Sequence, residues 1–141
     1  MIIVYRLRDD TKYNRKYIAD VQNATINSED YGIKQTHGLF CSAEWWNNID
    51  KGSLELQTLK GKITRVYMGS MNDWPEFEIT TEDGQKESFT REAETETLDA
   101  EYQPGRAIEI YFVWQQHKKS FFGESPDTKI VLEIRIEKNS S

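Results

Sequence analysis

Hydrophobic and polar residues alternate in five stretches of the second half of this chain, and the alternation predicts five β-strands. In residues 129–137, KIVLEIRIE, four aliphatic residues share one face and mainly charged residues share the other, which is typical of a half-buried strand. The other four stretches are residues 54–68, 76–81, 86–91 and 106–114. Gly61 interrupts the longest of them, so we expect a bend or bulge there.

The segments between these stretches set the predicted order of elements. Asp83 and Gly84 favour a hairpin turn between the second and third strands. Residues 92–105, EAETETLDAEYQPG, have few apolar positions and fit at most a short helix. Three strands, such a connection and two further strands resemble the order of an OB-type or similar small barrel. We therefore predict a mainly β fold with a small, five-stranded, OB-like barrel, closed or partly open.

The N-terminal part of the chain predicts an α+β extension. Residues 2–8, IIVYRLR, alternate and predict an edge strand. Residues 42–52, SAEWWNNIDKG, predict a short helix with Ser42 as its N-cap and Gly52 at its exit. Residues 9–37 are polar and predict no definite element.

Together these elements predict one compact domain. Residues 1–53 form an extension that packs on a β-barrel at residues 54–141. A chain of 141 residues is long enough for one core and short for two ordinary domains. The sequence does not predict an oligomeric state.

Charge is unevenly distributed along the chain, whose formal net charge is -6. Residues 73–101 contain eleven acidic and two basic side chains, which gives -9, and the rest of the chain sums to +3. Such a stretch repels phosphate and disfavours nonspecific binding to nucleic acid. It is either a solvated face or a surface that suits a basic protein partner.

Cysteine content and hydropathy limit the compartment. The lone cysteine, Cys41, excludes an internal disulfide. No apolar run approaches the roughly 20 residues that span a bilayer, and the first residues lack the features of a signal peptide. We therefore expect a cytoplasmic protein without membrane contact.

Candidate catalytic chemistry is sparse. His37 and Cys41 are close in sequence, and a Cys–His pair can generate a thiolate nucleophile. Alternatively, a cysteine beside Phe40 is a small buried hydrophobe. His37 and His117 supply only two metal nitrogens and match no ligand motif. We predict no catalytic residues, no metal and no cofactor, and keep a small enzyme that uses His37 and Cys41 as an alternative function.

Aromatic and basic residues in two loops offer better candidates for binding. In an OB-type barrel the loops after the first and fourth strands flank the ligand face. The side chains in these positions are Met71, Trp74, Trp114, Lys118, Lys119, Phe121 and Phe122. Bases of single-stranded nucleic acid could stack on the rings while the lysines meet the backbone. The other interpretation is that Trp74 and Phe121 close the barrel ends and the lysines are solvated.

Two adjacent tryptophans on the predicted helix, Trp45 and Trp46, form a possible protein interface. We expect one to anchor the helix and the other to be partly exposed, because interfaces are enriched in Trp. The function that we predict is a non-enzymatic binding module that contacts a protein partner, such as a basic protein, through its acidic face and exposed aromatics. Binding of single-stranded nucleic acid is the second hypothesis.

Overall fold

The described part of the chain contains six strands and three helices. A computed structural model describes residues 1–8, 12–28, 32–69, 74–116 and 127–138. Its elements, in chain order, are β1 (Ile2–Arg6), α1 (Lys12–Asn27), α2 (Ala43–Asp50), β2 (Gln57–Met68), β3 (Pro75–Thr81), β4 (Lys86–Thr90), α3 (Glu96–Asp99), β5 (Ala107–Gln116) and β6 (Asp127–Ile136).

The strands form one antiparallel sheet in the order β1-β6-β5-β2-β3-β4. The prediction of a mainly β, barrel-like class is therefore confirmed, and β1 is an edge strand as expected. The predicted number of sheet strands was wrong, since β1 pairs with β6 and makes the sheet six-stranded rather than five-stranded. Beyond β4, the backbone N–H of Glu94 donates to the carbonyl of Val4 in β1.

Two compact units divide the chain. The first comprises Met1–Arg6, Thr58–Tyr111 and Leu132–Ser141, and the second comprises Leu7–Gln57 and Phe112–Val131. Strands β5 and β6 thus contribute residues to both units. The units interleave along the chain, so neither of them is one continuous segment.

The inward face of the sheet supplies the core of the first unit. Its fully buried side chains come from the alternating positions that predicted the strands, and they include Val4, Ile63, Phe77, Ile79, Ile108, Ile110, Ile134 and Ile136. A Cβ atom on Gly61 would lie 2.6 Å from the carbonyl oxygen of Thr80. Gly61 therefore permits β2 and β3 to approach closely, and the predicted irregularity occurs slightly later, between Ile63 and Arg65.

Helix α2 in the second unit follows the prediction closely. The hydroxyl of Ser42 accepts a hydrogen bond from the backbone N–H of Trp45 at 3.2 Å, as an N-cap does. Ile49 and Trp45 are buried on one face of the helix. Gly52 has a φ of +84° directly after the helix, a conformation that glycine adopts without strain.

Helix α1 was not predicted, because polar residues occupy part of its inward face. The amide of Gln22 donates to the carbonyl of Phe40 at 2.7 Å. Thr25 is buried; its hydroxyl donates to the carbonyl of Val21 and accepts from the backbone N–H of Ile33. These hydrogen bonds attach the chain after α1 to the helix, and the polar side chains that make them interrupt the apolar pattern from which periodicity detects a helix.

Candidate functional site

Two of the seven predicted binding residues fall within the described part of the chain, and both are exposed tryptophans. Trp74 in the first unit is 52% exposed, directly before β3. Trp114 in the second unit is 48% exposed near the end of β5. The remaining five, Met71, Lys118, Lys119, Phe121 and Phe122, lie outside the described residues. Their proposed role stays a prediction.

Trp114 is held by its neighbours on the same face of the sheet. The ring of Phe112 contacts it edge to face, with centroids 5.7 Å apart. The ammonium of Lys129 lies 4.6 Å from the Phe112 centroid and 5.2 Å from that of Trp114. Phe112 is buried, so an exposed indole is supported from within the second unit. An indole held in this way loses little conformational entropy when a partner covers it.

The two neighbouring tryptophans of α2 have different environments. Trp45 has 0% exposure, and its indole N–H donates to Oε1 of Gln115 at 2.8 Å. Its ring meets Phe40 edge to face at 5.0 Å. Within the second unit Trp45 is therefore a packing residue, and its side chain offers no surface to a partner.

Trp46 is the member of the pair that reaches the surface. The guanidinium of Arg8 lies 4.4 Å from its ring centroid and also donates to a carboxylate oxygen of Asp50 at 2.8 Å. Trp and Arg are the residue types that most often dominate binding at protein interfaces. Of the two tryptophans that suggested an interface on α2, Trp46 is therefore the one whose side chain reaches the surface, and its role in an interface stays a prediction.

The acidic segment, residues 92–101, is partly neutralised by arginines. Arg91 pairs with Asp99 at 2.9 Å, and Arg106 pairs with Glu101. Glu96, in the first turn of α3, is exposed. The phenol of Tyr102 donates to the carbonyl of Glu92 at 2.5 Å. The segment therefore presents less free negative charge than its composition suggests.

Burial of Tyr102 is reflected in its titration. Desolvation, followed by the nearby carboxylates of Glu92 and Asp99, raises the pKa of this phenol well above its ordinary value. Tyr102 consequently stays neutral and remains a hydrogen-bond donor at physiological pH. It fastens the start of the acidic segment to the first unit.

The outward face of β2 and β3 carries a hydrogen-bonded set of polar side chains. The phenol of Tyr67 donates to Glu76 at 3.1 Å, and the hydroxyl of Thr64 donates to Glu78 at 2.9 Å. Phe77, between the two glutamates, is buried. The expectation that Glu76 and Glu78 face outward is thus confirmed, and each is held by a hydroxyl donor.

A second polar network on β1, β5 and β6 was not identified from the sequence. Glu133 accepts from Arg6 at 2.8 Å and from Arg135 at 2.5 Å. Burial alone would raise the pKa of Glu133, but the hydrogen bonds from both arginines outweigh it and lower the pKa. Arg135 also lies over the ring of Tyr111, 5.0 Å from its centroid. The alternating charges of β6 were the sequence feature that could have indicated this network. Spacing along one strand does not show which side chains of the neighbouring strands lie opposite them.

The environment of Cys41 does not suit a nucleophile. Burial raises the pKa of its thiol from 9.0 to about 12. The Nδ1 atom of His37 lies 2.8 Å from the hydroxyl of Thr36, and the carbonyl of His37 accepts from Asn48. At neutral pH the Cys41 thiol is therefore protonated, which weakens the alternative of a thiolate enzyme.

We expect Cys41 of the folded protein to react slowly with a thiol reagent near neutral pH. Three pKa units above the ordinary value correspond to a thiolate fraction about 1,000-fold smaller than in the unfolded chain. The measurement compares labelling rates in buffer and in guanidinium chloride. Because the folded pKa is raised, the neutral thiol stabilises the fold fully below about pH 9, and this contribution is lost between about pH 9 and 12. Rapid labelling of the native protein at neutral pH would contradict the expected slow reaction of Cys41.

The described residues contain neither a candidate metal site nor a helix that could span a membrane. No group of three or more His, Cys, Asp or Glu side chains there could hold a metal ion. Every helix in the described ranges is too short or too polar to cross a membrane.

Comparison with known proteins identifies the class. The matching family is one of immunity proteins, which implies a protein toxin as the partner. Specifically, the model of the family "Immunity protein RhsI2" matches residues 1–137, so the chain belongs to the RhsI2 immunity protein family. A search of curated proteins found no match.

Proposed function

We propose that this chain binds a specific protein toxin and keeps it inactive. Membership of an immunity protein family over residues 1–137 is the observation that carries the proposal. The prediction of a binding module with a protein partner agrees with it. Inhibition needs only a stable complex that blocks the action of the toxin, and it requires no catalytic residue in this chain.

The acidic segment, residues 92–101, is our proposed contact for a basic region of the toxin. Exposed Glu96 and half-exposed Asp99 supply negative charge there. Fixed charges of complementary sign accelerate the encounter of two proteins and help to select the partner. The hydrogen bond from Tyr102 to Glu92 and the ion pair from Arg91 to Asp99 hold this charge in place before binding.

Exposed Trp114 and half-buried Trp46 are our proposed apolar anchors of the contact with the toxin. Trp114 rests on buried Phe112, and Trp46 is covered by Arg8 on one side. Truncation of such anchors at protein interfaces typically costs more than about 2 kcal/mol of binding free energy, whereas peripheral contacts cost little. The anchors belong to the second unit and the acidic segment to the first.

Toxin neutralisation is tested by co-expression and by direct binding. Cells that produce the cognate toxin domain should grow when this chain is co-expressed, and the purified proteins should form a complex on size-exclusion chromatography. The cognate toxin is defined as the one whose lethality the chain suppresses. Failure to protect against toxins paired with RhsI2 family members, with no complex formed, would contradict the proposal.

Reversal of charge in the acidic segment should slow association with the toxin domain. In a Glu96→Lys, Ala100→Lys variant, both positions are exposed, so the fold should persist. We expect the association rate constant to fall about 10-fold at low ionic strength, and the difference from wild type to shrink as salt is added. Stopped-flow or surface-based kinetics at two salt concentrations provide the measurement.

A matched control separates local contact from net charge. The Ser53→Lys, Glu55→Lys variant makes the same change in net charge at exposed positions of the second unit. It should retain most of the wild-type rate. Equal slowing of both variants would show that only net charge matters, and the acidic segment would then lose its assigned role.

Two expectations from the sequence stay predictions. The first is a cytoplasmic location. The second is the alternative of single-stranded nucleic-acid binding, which depends on Lys118, Lys119 and Phe122 outside the described residues.

A further inference from the structure

Strand β2 presents basic side chains on the outward face of an acidic protein. Lys60, Lys62 and Arg65 are exposed there, and Lys86 is exposed on β4. We call these four residues the basic stripe. All of them belong to the first unit.

A β-bulge is responsible for the orientation of Arg65. Ile63 is buried opposite Ile79, and strict alternation would send Arg65 to the same inward face. The register shifts between Ile63 and Arg65, so that Arg65 lies opposite outward-facing Glu78 and Val66 lies opposite buried Phe77. Bulges re-aim side chains and are frequent next to functional sites. The bulge thus adds a third cation to the outward face of β2.

Pairing across the strands gathers these cations. Lys62 lies opposite Thr80, and Thr80 lies opposite Lys86. Neighbouring strands are about 4.8 Å apart, so the backbones of the two lysines are about 10 Å apart on either side of Thr80. The spacing allows two ammonium groups to reach carboxylates on one facing surface.

The cations of the stripe are largely uncommitted. Within the described residues, no ion pair involves Lys62, Arg65 or Lys86, and Lys60 reaches Glu109 only at 4.0 Å. The guanidinium of Arg65 lies 4.2 Å from the ring centroid of Tyr67. Stacking fixes the plane of the guanidinium and leaves its N–H groups able to donate to a carboxylate.

We propose that the basic stripe docks an acidic patch on the surface of the toxin. This inference rests on the proposed function and adds a second contact, opposite in sign to the acidic segment. Two regions of opposite charge on one unit fix the orientation of a partner better than either alone, because a rotated partner would meet like charge.

A protein carboxylate surface suits the stripe better than a nucleic-acid backbone does. Glu76, Glu78 and Glu109 lie on the same outward face as the stripe. Tyr67 and Thr64 donate to Glu76 and Glu78, and Glu109 lies 4.0 Å from the ammonium of Lys60. These glutamates would repel a continuous line of phosphates. The individual carboxylates of a partner protein can instead be placed opposite the lysines and the arginine, away from the glutamates. Arg65 lies over one face of the Tyr67 ring, so a base could not stack on that face without displacing the guanidinium.

The test measures binding of the cognate toxin domain to a charge-reversed stripe. The variant is Lys62→Glu, Arg65→Glu, Lys86→Glu. We expect its Kd for the toxin domain to rise about 100-fold at low ionic strength, with a smaller rise at high salt. A charge-neutral variant with glutamine at the same three positions should weaken binding about 10-fold. Thermal unfolding confirms that each variant is folded, as expected for exposed positions.

The matched control reverses three exposed cations elsewhere, in a Lys16→Glu, Lys51→Glu, Lys138→Glu variant. Its Kd should change by less than about 3-fold, although its net charge equals that of the stripe variant. Loss of affinity only in the stripe variants supports the inference. An equal loss in this control would overturn it, since net charge alone would then explain the effect.

Remaining outcomes separate the inference from the proposed function. If the wild type binds the toxin and the folded stripe variants bind equally well, the stripe assignment is wrong and the proposed function stands. If the wild type binds no toxin, the proposed function fails and the inference fails with it. A fluorescent single-stranded oligonucleotide of about 20 nucleotides is the second probe. Binding that is lost in the stripe variant would assign the stripe to phosphate and overturn the carboxylate partner.

Discussion

Replacement of Trp45 by alanine is expected to lower the free energy of unfolding by about 3–5 kcal/mol. The indole is completely buried in the second unit and packs edge to face on Phe40 and on Trp46. Its removal would leave a large cavity and would strip the buried Gln115 of its hydrogen-bond donor. Urea denaturation of the wild type and the variant, with equal m-values, provides the measurement.

Two further variants separate packing from hydrogen bonding at this position. Trp46→Ala is the matched control, because the neighbouring indole is only half-buried; its cost should be clearly smaller. In a double-mutant cycle, Trp45→Phe and Gln115→Leu should show a coupling energy of about 1 kcal/mol, since each removes one partner of the same bond. Equal costs for Trp45→Ala and Trp46→Ala would contradict the assignment of Trp45 as the packing residue.

Replacement of Phe77 by alanine is expected to destabilise the protein by a similar amount, about 3–5 kcal/mol. Its ring has 0% exposure and lies between Phe89, with centroids 5.7 Å apart, and Tyr102, at 4.8 Å. Denaturation again provides the measurement. A Glu78→Ala variant, altered at the next residue on the outward face of β3, is the control and should cost less than about 1 kcal/mol.

This substitution should also affect the proposed toxin contact. Tyr102 packs on Phe77 and binds the carbonyl of Glu92, so loss of the Phe77 ring weakens the support of the acidic segment. Amides of residues 92–102 should then exchange hydrogen faster in the Phe77→Ala variant than in the Glu78→Ala control. Unchanged exchange in that segment would show that it is anchored independently of the Phe77 cluster.

The regular strands of this protein were accessible from the sequence because each obeys a local rule. Alternation in KIVLEIRIE placed Ile130, Leu132 and Ile134 on one face, and all three are buried. Ser42 marked the start of α2 since a hydroxyl at that position satisfies a free backbone N–H. Such signals need only a few neighbouring residues.

The features that the sequence did not predict, helix α1 and the pairing of β1 with β6, depend on residues that are distant in the chain. Helix α1 uses Gln22 and Thr25 on its inward face, and each is acceptable there only because a carbonyl or N–H from another segment completes its hydrogen bonds. Likewise, the pairing of β1 with β6 joins residues at opposite ends of the chain. No local pattern encodes these partners.

In the candidate site, too, some features followed from local sequence and others depended on the tertiary structure. The sequence by itself determined that the chain has four tryptophans and an excess of acidic residues, and it predicted that Glu76 and Glu78 would face outward. Only the tertiary structure decided that Trp45 is buried while Trp46 reaches the surface, that arginines neutralise part of the acidic segment, and that a bulge turns Arg65 outward. The physical reason is that composition and alternation are local properties, whereas burial, ion pairing and register depend on which segments the fold brings together.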